Sequence, residues 1–214
     1  MKTFENLLTF LKAPYGAENY SDIKISDFIL LLLITMFTVV PYGYFLEWVG
    51  IDQFEHIMKE FMEKNKWVLA IFAIFLAPLI EEPIFRLHLD LKKSSIWWGL
   101  VLSIFMIDEL WYPVILLWGY LIFLYVKISK GEKPNLKIVV YSSSALFALV
   151  HMGNFIDFDY GRYFYWVPFL VAIQFVVGLV LSHIRLNHGM KWAIIFHGVY
   201  NAVLIIPAVF FYEP

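Results

Sequence analysis

The sequence predicts an all-α protein: a polytopic bundle of about seven transmembrane helices, eight being the alternative count, with amphipathic helices on the membrane surface. Three observations carry that expectation. Apolar residues make up 61% of the 214 and charged residues only 16%, against about 45–50% and about 25% in soluble domains. The apolar residues gather into runs, most of them near the about 17–25 residues that cross a bilayer. Lysine and arginine fall unevenly between the loops joining those runs, as in polytopic proteins with a fixed orientation.

The whole chain, 1–214, reads as a single integral membrane domain, with no internal repeat or soluble second domain. Residues 1–26 form an N-terminal surface segment. In it Phe4, Leu7, Leu8 and Leu11 recur at i, i+3, i+4 and i+7, with Lys2, Glu5, Asn6 and Lys12 off that face. This spacing predicts a short helix lying on the membrane, with a frayed terminus as the competing expectation. The stretch lacks the continuous apolar core of a signal peptide. Spans follow at 27–49, 67–87, 95–108, 112–128, 137–154, 164–184 and 191–212. The third is short, so 95–128 is either two spans or a re-entrant hairpin, turned by Asp108-Glu-Leu-Trp-Tyr-Pro113. Between the first two spans, Gln53 to Lys66 carries an apolar stripe of Phe54, Ile57, Met58, Phe61 and Met62. Glu55–Lys59 and Glu60–Lys64 stand as i,i+4 pairs on its polar side. This predicts an amphipathic helix on the outer surface or packed over the bundle.

With a cytoplasmic N-terminus, twelve of the sixteen Lys and Arg fall on or near the inner side, leaving Lys59, Lys64, Lys66 and Arg162 outside. The acids Asp108, Glu109, Asp157 and Asp159 then lie in outer loops. That bias predicts N-in and, with seven spans, C-out, in a plasma or inner membrane. No basic cluster points to nucleic acid as a partner, and the net charge of −2 says nothing about one. The absence of cysteine excludes disulfides, thiolate nucleophiles and thiolate metal sites.

Three polar groups interrupt the apolar segments. The first is Glu81-Glu82-Pro-Ile-Phe-Arg86. An acidic residue at the centre of a spanning helix costs roughly 2.5–3.5 kcal/mol, so these carboxylates need partners or a wet cavity. Glu82 and Arg86 are i,i+4 neighbours and can pair, while Glu81 points about 100° away and is free to face a cavity. Pro78 and Pro83 each free a carbonyl four residues earlier and kink the helix. A structural ion pair near the inner interface is the competing expectation. The second group is Phe147-Ala-Leu-Val-His151, with Phe147 and His151 on one face. The third is His197-Gly-Val-Tyr-Asn201, with His197 and Asn201 projecting together and Gly198 allowing close backbone approach. Alone, each of these histidines reads as a packing or helix-joining residue. Together the three groups supply a carboxylate or imidazole to take a proton from water and N–H groups to hold an oxyanion.

In this order, on separate apolar segments, the groups resemble the EExxxR, FxxxH and HxxxN motifs of the type II CAAX prenyl proteases and their bacterial relatives, the CPBP or Abi family. The resemblance covers about residues 67–205 and includes the stretch from Gly178 to Trp192. It implies an intramembrane protease. Glu81 would be the general base acting with His151, and His197 and Asn201 would form the oxyanion hole. Glu82, Arg86 and Phe147 would support the site. It implies no metal or other cofactor; were a metal bound, Glu81, His151 and His197 would be its candidate ligands. Two departures stand out. Leu87 occupies the place of a common glycine, and about 60 residues separate the first two motifs. Counting helical rise from the inner ends also puts His151 nearer the outer side than Glu81.

The leading expectation is an endopeptidase acting on a membrane-associated or lipidated peptide or protein, with the lipid bilayer as its other partner. A bacterial member would serve peptide maturation, bacteriocin immunity or control of surface proteins. The alternatives are a non-catalytic membrane scaffold or bacteriocin-immunity protein of the same fold, and a proton-coupled transporter. The transporter would need a polar path through Gln174, His183 or Asp108 linking both faces.

Overall fold

The structure, a computed structural model, describes residues 2–107 and 111–211. The expected acids Asp108 and Glu109 lie outside the described residues. Among the described residues, six helical stretches are long and apolar enough to cross a bilayer: Ile25–Trp48, Ile57–Asp90, Trp111–Ser129, Leu136–Asn154, Tyr160–His188 and Met190–Phe211. The expected segment 95–108 is the shorter apolar helix Lys93–Met106. Among the described residues the only β-type pairing is an isolated bridge between His56 and Phe155. The all-α bundle expected from the sequence is therefore the observed architecture.

Helix α1 (Lys2–Lys12) is the short surface helix. It seats Leu7 and Phe10 in the bundle and leaves Phe4 and Leu8 outward, where lipid can cover them. Thr3 donates to Asp27 at 2.6 Å, tying α1 to α2 (Ile25–Trp48). Tyr141 donates to the Leu11 carbonyl at 2.7 Å, tying α1 to α7 (Leu136–Val150).

Helix α3 (Ile57–Ile71) is two helices in one run, because Asn65 is extended (φ −161°, ψ 84°). The Asn65 side chain accepts from the Val68 N–H at 3.1 Å. It therefore ends the amphipathic piece and caps the apolar one, which suits asparagine. The Glu60–Lys64 pair forms, whereas Glu55 precedes the helix, outside i,i+4 geometry with Lys59. The chain continues through π-helical turns at Phe72–Leu76 into α4 (Ala77–Arg86) and a tighter turn at Leu87–Asp90.

Helix α5 (Lys93–Ser103) packs on α4, and α6 (Trp111–Ser129) packs on α5 and α7. Trp118 donates to Ser103 at 2.8 Å, and Tyr120 to the Val139 carbonyl at 3.1 Å. After α7 and a turn at His151–Asn154, α8 (Tyr160–Tyr163) and α9 (Val167–Leu170) lead into α10 (Ala172–His188). The chain closes with α11 (Met190–Phe211).

The two ends of the bundle differ in chemistry. At one, Arg185 lies 3.7 Å from Asp90 and Trp192 donates to Asp22 at 2.7 Å. At the other, Phe54, Phe155, Phe158 and Trp166 pack with Met152 and Leu170 into an aromatic cap.

Candidate active site

The site grows from α4. Glu82 and Arg86 face the same side, and Arg86 Nη1 lies 3.5 Å from Glu82 Oε1, both side chains 0% exposed. A buried pair is costly to desolvate and needs further contacts. Arg86 has no hydrogen-bond partner among the described residues. Its guanidinium instead sits 3.9 Å from the centre of the Phe147 ring, a cation–π contact strengthened by desolvation. That contact gives Phe147 its place in the second motif. Gly178 of α10 completes the seat: a Cβ there would stand 3.1 Å from Ser144 and 3.2 Å from Arg86.

His197 of α11 meets the carboxylates from the other side. Its Nδ1 lies 2.9 Å from Glu82 Oε1, and its Nε2 lies 3.9 Å from Glu81 Oε2. His151 Nδ1 donates to the Phe147 carbonyl at 2.7 Å. In the neutral ring this leaves the Nε2 lone pair free to accept. Asn201 donates to the Ala73 carbonyl at 2.7 Å, and the π turn explains why that carbonyl is available. The Ala77 N–H bonds back to Phe72, and the next residue, Pro78, has no N–H. Ala73 is thus left without a backbone donor, and Asn201 supplies one. Gly198 lets α11 come this close, since a Cβ there would stand 2.7 Å from the Ile74 carbonyl.

Glu81, His151, His197 and Asn201 all line one cavity of about 530 Å³. The offset expected from counting rise is removed by the register of α4 against α7. Ser143 bonds to the Phe85 carbonyl and Phe147 stacks on Arg86, so the antiparallel pair brings His151 level with Glu81. Helix α7 starts at Leu136, well before Ser143, whereas α4 ends at Arg86, just after Phe85, so α7 extends past the end of α4. Much of the cavity wall is apolar: Val68 and Leu69 of α3 and Phe72 of the π turn face Leu204, Ile205 and Ala208 of α11. The amphipathic piece of α3 covers it with Ile57, Met58 and Phe61. His56 and Asn154 also line it and were not singled out from the sequence. Asn154 stands one turn after His151, the only local signal for it. Gln174, expected on a transport path, faces this cavity, whereas His183 lines a separate cavity of about 260 Å³ with Asp27, Asn187 and His188. No residue lines both. Among the described residues no three His, Asp or Glu side chains are placed to share a metal ion. Glu81, His151 and His197 therefore line one space without forming a metal-binding cluster.

Residues 63–203 match the family model for type II CAAX prenyl endopeptidase Rce1-like proteins. The chain belongs to that family. No curated protein and no solved structure matches it. The family and the six apolar helices make it an integral membrane protein.

Both departures of this Rce1-like chain from its family's pattern have a structural account. Leu87 sits at φ −63°, ψ −44°, ordinary helical angles that any residue adopts, so no glycine is needed. The residues inserted between the first two motifs form α5 and α6, which pack on α4 and α7 and contribute nothing to the cavity.

Proposed function

We propose that this Rce1-like chain is an intramembrane endopeptidase that hydrolyses a peptide bond in a membrane-associated or lipidated peptide or protein. The observation that carries this is the convergence of Glu81, His151, His197 and Asn201 on one cavity walled largely by apolar side chains. Glu81 and the free Nε2 of His151 are two acceptors that hold one water by its two hydrogens. They leave its lone pair for the substrate carbonyl, and Glu81 takes the proton as the C–O bond forms. Asn201 keeps a second N–H for the oxyanion after serving Ala73. His197 is held against Glu82 through Nδ1 and presents Nε2 to the cavity beside Glu81, on the side where the oxyanion would form. On collapse of the tetrahedral intermediate, the proton on Glu81 passes to the departing amine.

Val68 and Phe72 line the cavity and are also 57% and 50% exposed on the outside of the bundle. This supports substrate entry from the bilayer between α3 and α11. The basic end of the bundle is assigned to the cytoplasm, with the N-terminus inside a plasma or inner membrane. The division of Gln174 and His183 between two cavities speaks against a proton-coupled transporter.

The test is hydrolysis of a fluorogenic, prenylated CAAX-type peptide by the full chain in lipid nanodiscs. Wild type should cleave it, and Glu81→Gln should lose at least about 100-fold of the rate with its melting temperature kept. Equal cleavage by Glu81→Gln would remove the general base from this mechanism. A peptide bound but left intact by wild type would favour the scaffold or immunity alternative.

A further inference from the structure

His56 is the cavity's least explained polar group. It lies outside all three motifs and just before the amphipathic piece of α3, yet it lines the same space as Glu81 and His151. Its position is fixed from two sides. Its backbone bridges to Phe155, and the neighbouring Ile156 N–H donates to the Glu55 carbonyl at 2.9 Å. The His56 and Phe155 rings stack edge to face with centroids 5.1 Å apart. Phe155 follows His151 by four residues, so the strand-like clip ties His56 to the turn that ends the second motif.

The tautomer follows from the capping bond. His56 Nδ1 accepts the Met58 N–H at 3.1 Å and so caps the helix. A nitrogen that accepts cannot carry a proton, so the neutral ring holds its hydrogen on Nε2. Burial, and then the nearness of His151, lowers its pKa, which favours this neutral form. Among the described residues Nε2 makes no hydrogen bond. The result is a rigid, uncharged N–H donor on the wall of an otherwise mostly apolar cavity, close to His151.

From this geometry we infer that His56 is a substrate-contacting residue whose Nε2–H donates to a backbone carbonyl oxygen of the bound peptide. A neutral donor suits a neutral carbonyl, the commonest acceptor that a peptide brings into an apolar space. The contact would hold the chain in register with Glu81 and His151, and would come from the piece of α3 that covers the site. This rests on the peptidase reading of the cavity. It adds a contact that the three motifs do not supply.

The experiment separates the two. Affinity for the prenylated fluorescent peptide is measured by anisotropy in full-length Glu81→Gln protein in nanodiscs, which holds peptide without cleaving it. His56→Ser is compared with His56→Gln in that background. Serine keeps an acceptor for the Met58 N–H but cannot reach into the cavity, whereas glutamine keeps a donor of similar reach. His56→Ser should weaken binding about tenfold, and His56→Gln should stay within about twofold of the parent. Unchanged affinity in a folded His56→Ser overturns the contact. Should His56→Ser not fold, ¹⁵N-histidine spectra of the parent decide: the His56 Nε2–H signal must move when peptide is added, and a static signal overturns the assignment. A His56 effect that disappears with a C-terminally amidated peptide overturns the carbonyl in favour of a carboxylate. Binding that depends on His56 without any hydrolysis by wild type would sink the peptidase reading and leave this contact standing.

Discussion

At the scale of single residues, the two adjacent glutamates divide their labour by direction. Glu82 turns inward to Arg86 and His197 and is sealed from water, while Glu81 turns to the cavity. This split was legible in the sequence, because neighbours on a helix point about 100° apart. What holds Arg86 was not. Its cation–π partner Phe147 is on another helix, and no local spacing encodes a contact between segments 61 positions apart. The energetic consequence is testable. Glu82→Gln leaves the Arg86 charge buried beside a ring and an amide, and breaking a buried pair costs about 3–5 kcal/mol. Glu82→Gln should therefore lower the melting temperature in detergent. Adding Arg86→Met should recover part of the loss, since an apolar side chain of similar length removes the stranded charge. A double variant less stable than the single would show that Arg86 holds the fold through contacts other than this pair.

At the scale of elements, the site depends on an irregularity. Proline at 78 and the π turn before it strip the Ala73 carbonyl of its backbone donors, and α11 answers with Asn201 and Gly198. The sequence placed the carbonyl freed by Pro78 four residues earlier, at Ile74, and the π turn shifts it by one residue to Ala73. The partner of the freed carbonyl was hidden, because it comes from residue 201, far along the chain. The break at Asn65 was nearly legible: the amphipathic and apolar patterns meet there, and asparagine is a common cap. Tight contact between α11 and the π turn predicts opposite outcomes for two glycines. Gly198→Ala drives a methyl to 2.7 Å from the Ile74 carbonyl and should cost about 1–3 kcal/mol, with reduced activity as Asn201 is pushed away. Gly119→Ala, in the middle of α6 with no atom within 4 Å of the new Cβ, should stabilise by up to about 1 kcal/mol. Melting temperatures of the two variants check the contrast. Equal shifts would show that α11 can move away without loss.

At the scale of the whole molecule, composition was enough for the class of fold, because a bilayer permits few solutions besides packed helices. The number of long helices was harder. The amphipathic and apolar pieces expected at 53–66 and 67–87 run together as Ile57–Asp90, broken at Asn65, and 95–108 is short. Periodicity marks where apolar residues begin and end, but not which helices run on beyond the bilayer. We propose the orientation from charge, with the basic end inside. Residues bound to the basic end, such as Arg185, Asp90 and Trp192, lie opposite the aromatic cap that holds His56 and Phe155. The cavity is covered from the cap end by the amphipathic piece of α3. With basic loops retained inside, that covering piece would face the outside. The chain has no cysteine, so single cysteines report without background. In intact cells a membrane-impermeant maleimide should label Lys59→Cys at once and Lys130→Cys only after permeabilisation. The reverse pattern would turn the protein over. The cover of the site and its His56 clip would then face the cytoplasm, and peptides would have to reach the cavity mouth from that side.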